Sequence, residues 1–127
     1  MVYVVKEPIR PEEMYEKLTK NTAGSVLLHY AVVKETPYNE AGTKGVEYCR
    51  NGDMETEMAG IIEQLKNRWQ IEDALLIRRL GCLKTGEIIS LIAVSSPNSA
   101  DAFEACQYGI SLLKKMTTFV KKERCGE

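Results

Sequence analysis

An α+β domain, a largely antiparallel sheet with helices on one side, is the fold class this sequence predicts. Three observations lead there. Strand-like runs come in pairs between helical stretches, in the order β-α-β-β-α-β-β-α, which disfavours a doubly wound parallel sheet. No internal repeat and none of the patterns G-x-G-x-x-G, G-x-x-x-x-G-K-[ST], G-x-S-x-G or H-E-x-x-H occurs. The 127 residues, 44% apolar, are enough to bury a core and are read as a single domain over residues 1–127.

Each element follows from local chemistry. Residues 2–5 form a short edge strand, and Pro8 and Pro11 introduce a helix over residues 12–19 with Met14, Tyr15 and Leu18 inward. Residues 25–34, SVLLHYAVVK, are nearly continuous in apolar, β-favouring side chains and predict a central strand covered on both faces. His29 within that run reads as a packed core residue. The Pro, Asn and Gly chemistry of residues 35–44 predicts a loop, followed by a strand over 45–50. Asp53 can cap a second helix in which Met54, Met58, Ile61, Ile62, Leu65 and Trp69 recur at helical spacing. Residues 74–80 and 87–95 are two further strands joined by GCLKTG.

The last predicted helix spans residues 100–123, with Asn98 or Ser99 as cap and lysines toward its negative end. At 100° per residue, Phe103, Cys106, Ile110, Leu113 and Met116 share an apolar arc, and Lys114 and Lys121 border it. Either the two lysines snorkel over apolar surface, or they are partly buried amines about 10.5 Å apart along one helix face. In the second case burial would lower their pKa and prepare them for nucleophilic or acid–base work.

Composition excludes several functions. Seventeen Lys and Arg against eighteen Asp and Glu give no global basic field for nucleic acid. No apolar run approaches the roughly 20 residues of a membrane span, and the N-terminal sequence lacks a signal-peptide pattern, so a cytoplasmic location is expected. Four singly spaced cysteines and one histidine argue against a structural zinc site or a disulfide framework.

An ordered series of matches then adds a family. Residues 102–106 read A-F-E-A-C, followed by Leu113-Lys114 and by Phe119 to Glu123, which resembles a P-x-W-K-K-E ending. Upstream stand Arg68-Trp69, the IRRLG of 77–81, Gly86-Glu87 and the VSSP of 94–97, and residues 24–34 fall where related chains have a strand ending V-G-R-V-R. Over residues 20–123 the chain resembles the large, catalytic subunit of molybdopterin synthase. Departures are Ala31 to Lys34 in place of G-R-x-R, Arg78 in place of histidine, Asn98 and Ser99 in place of His-Arg, and Thr118 and Val120 in place of Pro and Trp. The sequence also ends at Glu127, where many members continue.

That resemblance implies an α/β hammerhead fold and a homodimer flanked by two copies of a small ubiquitin-like sulfur carrier, a heterotetramer. The carrier's C-terminal Gly-Gly thiocarboxylate would deliver sulfur to cyclic pyranopterin monophosphate. Carried over by position, Lys114 and Lys121 are the catalytic residues, with Lys34, Arg79, Lys122 and Asn98 as substrate- or anion-binding groups. No metal or organic cofactor is implied, because the pterin is substrate. The alternatives are a family-like scaffold that binds the carrier or an anionic metabolite without turnover, and an unrelated small α+β domain whose lysines form a solvated face.

Overall fold

Two strands carry the architecture. In the computed structural model, which describes residues 1–35 and 45–125, β4 (Asp73–Arg79) and β6 (Ile88–Ser96) form the middle of a four-stranded sheet. Its order is β1-β4-β6-β2, with β1 (Val2–Val5) parallel to β4, and β2 (Ser25–Val32) antiparallel to β6. Alternation along β4 sends Ala74 and Leu76 to one face and Leu75 and Ile77 to the other. On the first face the side chains pack against α2 (Met54–Arg68) and α3 (Ser99–Lys114), burying Met58, Leu65, Ile92, Val94 and Ala105. On the second, Met14 of α1 (Pro11–Lys17) and Leu18 meet Leu75, Ile77 and Leu91. Helices therefore cover both faces of this sheet, not one as the sequence predicts.

The α+β class and three helices hold, and two local expectations change. Strand β2 lies at the sheet edge, with Tyr30 46% exposed. An apolar run alone does not make a strand central; β4 and β6 are central because each has a partner on both sides and a helix over each face. Tyr15 of α1 points to solvent, while Met14 and Leu18 are buried. The turn-rich stretch expected over 35–44 lies, apart from Glu35, outside the described residues.

The predicted caps form. Asp53 accepts a hydrogen bond from the Thr56 backbone N–H at 3.0 Å, and Asn98 accepts one from that of Asp101 at 2.8 Å. Gly109 lets α3 lie close on its support: a Cβ there would press on Ile92 and Leu65.

A second, three-stranded sheet has the order β5-β3-β7, from Gly81–Leu83, Gly45–Arg50 and Phe119–Cys125. Neither β5 nor β7 is predicted, and β7 overturns the long last helix. That helix ends at Lys114, with Lys115 as its C-cap. Thr117, Thr118 and Val120 are β-branched, and the turn finds acceptors elsewhere. Glu57 of α2 accepts from the Thr117 and Thr118 backbone N–H groups at 3.2 and 3.1 Å and from the Thr118 hydroxyl at 2.6 Å. The Asn51 N–H donates to the Thr118 carbonyl at 2.7 Å as β7 pairs with β3. Cys82 of β5 is disulfide-bonded, an exception to the expectation drawn from cysteine spacing.

Candidate functional site

The seam between the two sheets is an open cleft of about 410 Å³. Its wall on the large sheet comes from His29, Ala31 and Val32 of β2 and from Ile110 and Lys114 at the end of α3. Val46 and Tyr48 of β3 and Lys121 of β7 supply the other wall, and Lys34 stands where the chain leaves β2. Lys114 and Lys121 thus share one cleft although they do not share a helix. The register explains Lys121: it pairs with Tyr48, so both project to the same face of the small sheet, whereas Lys122 pairs with Glu47 on the other.

Both amines are exposed, so burial does not prepare them. Their proximity to one another and to Lys34 does something different. Three cationic side chains around an apolar floor of Val33, Val46, Tyr48 and Ile110 concentrate positive charge locally on a chain with net charge −1. Such a floor accepts a flat or aliphatic group while the ammonium groups engage phosphate or carboxylate oxygens.

Behind Lys114 lies the buried guanidinium of Arg78, on β4 opposite Ser90 of β6. It donates to the Leu113 carbonyl at 3.0 Å and lies 4.2 Å over the Phe119 ring, which stacks on Tyr48 at 5.2 Å. One side chain therefore ties the end of α3 to the start of β7, the two places from which the cleft lysines project. Burial pulls the Arg78 pKa down to about 10, against the favourable charge of Glu57. Burial raises the Glu57 carboxyl, but hydrogen bonds from Thr118 and Thr117 and the charge of Arg78 outweigh it, so the group sits below its ordinary value. Cys106, on the buried face of α3, is pushed up to about 11 by burial, which makes it an inert core thiol.

The remaining predicted residues are placed elsewhere on this chain. Arg79 points to the opposite face from Arg78, donating to the Lys6 carbonyl at 3.2 Å and lying 3.7 Å from Glu87. Asn98 caps the far end of α3, about 24 Å of helix from Lys114. Lys122 faces away from the cleft floor. Conversely, sequence reasoning placed His29 in the core, and the structure sets it, exposed, in the cleft wall. Its place on an edge strand is what exposes it. Tyr48 and Glu57 were missed as well, and Arg78 was not among the chosen site residues. Only the adjacent pair Arg78-Arg79 carried a signal, since alternation on a strand must send one of the two toward the helix layer.

Comparison with known proteins supplies the context. Residues 4–116 match the family model described as MoaE protein. The molybdopterin synthase catalytic subunit of Bacillus subtilis (strain 168) is 33% identical over 121 residues, covering 94% of this chain and 76% of the relative. That of Staphylococcus aureus (strain COL) is 32% identical over 126 residues, with 94% and 81% covered. A crystal structure of molybdopterin synthase from Staphylococcus aureus superposes with a TM-score of 0.85 at 30% identity, over 98% of this chain and 90% of that one. The same fold recurs, at a TM-score of 0.76 and 14% identity, over 98% of this chain and 88% of a chain in a complex of subunits 1 and 2 of molybdopterin-converting factor from Helicobacter pylori.

Proposed function

Since the chain belongs to the MoaE protein family, we propose that it is the large subunit of molybdopterin synthase. In that role it moves sulfur from a small-subunit thiocarboxylate to cyclic pyranopterin monophosphate in molybdenum cofactor biosynthesis. The observation that carries this reading is the convergence of Lys114, Lys121 and Lys34 on one apolar-floored cleft. The reaction needs a site that holds two anions together, a phosphate-bearing pterin and a thiocarboxylate. Each sulfur delivered leaves the carrier's terminus as an ordinary carboxylate once water has supplied the oxygen, and a dithiolene requires two deliveries.

Lys114 and Lys121 are the residues assigned to the reacting ends, where an ammonium group can fix a thiocarboxylate, hold phosphate or pass a proton. Lys34 adds anion affinity in place of a guanidinium, as a point charge without a bidentate fork. Because Arg79, Lys122 and Asn98 lie outside this cleft on their own chain, any contact they make with substrate comes from a second subunit. That is compatible with a dimer of single-domain subunits flanked by two carriers. Among the described residues no helix is long and apolar enough to cross a membrane, and we place the protein in the cytoplasm with its small-molecule substrate. The non-catalytic scaffold is the weaker reading, because three amines stand ready around the cleft.

A turnover assay tests this. Purified protein, cyclic pyranopterin monophosphate and a thiocarboxylated small subunit ending in Gly-Gly should yield molybdopterin. Binding of the small subunit without product would move the assignment to the scaffold.

A further inference from the structure

Among the described residues, Arg78 is a charge without a counter-ion. The residue is only 7% exposed, and among the described residues its Nε–H has no acceptor and its one hydrogen bond goes to a neutral carbonyl, that of Leu113. Among the described residues no carboxylate lies within ion-pair distance of it. Glu57 acts on it from further away, with its oxygens already engaged by Thr117 and Thr118. A buried guanidinium in this condition is costly, and structures retain such groups where a partner completes them. Next to it is a small recess of about 50 Å³, lined by Arg78, Ser90, His29, Ala31, Ile110 and Lys114 among others. At 10–15 Å³ per water-sized sphere, that is room for about three to five such spheres, the size of a terminal carboxylate. Because His29, Ala31, Ile110 and Lys114 also line the larger cleft, a group seated there would reach Arg78 from the cleft side.

We propose that Arg78 receives a small oxyanion in this cavity, with Lys114 as the second cation and the Ser90 hydroxyl as a neutral donor. The inference rests on the reading of the cleft as a sulfur-transfer site and deepens it. The oxyanion is either the carboxylate-type end of a peptide entering the cleft or a phosphate oxygen of the pterin. The volume holds the three heavy atoms of a carboxylate with room to spare and a five-atom phosphate group only at its upper limit, so the peptide end is the better fit. The guanidinium then does two things: it ties α3 to β7 and it senses whether the cavity is filled.

The direct test follows the Arg78 Nε–H resonance in uniformly ¹⁵N-labelled full-length protein, assigned by its loss in Arg78→Lys. Three probes are titrated: N-acetyl-Gly-Gly, its C-terminal amide, and inorganic phosphate. A saturable shift with N-acetyl-Gly-Gly and none with the amide is expected, and Arg78→Gln should weaken that binding at least about tenfold. A saturable shift with phosphate instead supports the subsite and assigns it to the pterin phosphate. Overturning results are a resonance that no probe moves, an amide that works as well as the acid, or a folded Arg78→Gln protein that binds N-acetyl-Gly-Gly as tightly as wild type. If Arg78→Gln does not fold, the wild-type titration decides. Carboxylate binding that depends on Arg78 in a protein without turnover would leave this inference standing and remove the proposed reaction. Turnover with an unresponsive Arg78 would do the reverse.

Discussion

The large sheet and the small sheet are held together by different means. Most of the buried aliphatic side chains belong to the first: Met58, Leu65, Ile92 and Val94 on one face, Met14, Leu75 and Leu91 on the other. The small sheet buries Val33, Tyr48 and Leu83 and leans on the half-buried Phe119, with Glu57 and Arg78 fastening its entry strand. Global stability therefore resides in the first, and the geometry of the cleft depends on how the second is attached. Lys114 ends a helix of the large layer and Lys121 sits on the small one, so the site exists only while the two are in register. A cleft built across a seam can be adjusted without disturbing the main core.

Substitutions can separate the two regions, and the largest effects on catalysis should come without loss of fold. Lys114→Ala or Lys121→Ala is expected to cut molybdopterin formation by at least about 100-fold, with thermal melting close to wild type because both side chains are exposed. The reverse pattern is expected for Leu65→Ala: Leu65 is fully buried, and truncation should cost about 2–5 kcal/mol in urea unfolding. Activity measured well below its melting point should be largely kept. A Leu65→Ala protein that melts like wild type would deny the large sheet its role.

Intermediate effects belong to the fastening residues. The folded-state pKa of Glu57 lies below the ordinary 4.5, so its contribution is present above that pH and is lost as pH falls through the folded value. Glu57→Gln should lower the melting midpoint at pH 7, and the gap to wild type should close toward acid pH. A gap constant with pH would show that the carboxylate charge is not what holds Thr117 and Thr118. The smallest effect is Asn98→Ala, which removes a helix cap and should cost about 1 kcal/mol with little change in turnover. A turnover loss far beyond that cost would put Asn98 in the cleft of a neighbouring subunit.

Sequence patterns revealed what depends on local chemistry. The Asp53 and Asn98 caps, the stripe of Met58, Ile61 and Leu65, and the strands around Leu75 and Ile92 were legible because side-chain period and capping are written within a few residues. Pairing across long separations was not. Nothing near Thr117 announces that Glu57, sixty positions earlier, will take its N–H and end the helix there. For the same reason Lys121 was placed on a helix face when it lies on a strand opposite Tyr48. Both lysines line one cleft, but they reach it from a helix end and a strand, not from the single helix face that the sequence pattern suggested. His29 was misread because an apolar run looks alike at a sheet edge and at its centre, and only the order β1-β4-β6-β2 tells them apart.

The most direct test of the claim that one cleft uses amines from both regions is a mutant cycle in sulfur transfer. Turnover is measured for wild type, Lys114→Ala, Lys121→Ala and the double variant, with folding checked by melting. If the two act as a unit on the same bound anions, the double variant should be little worse than the poorer single one. Wild-type turnover in either single variant, with both folded, would contradict the account.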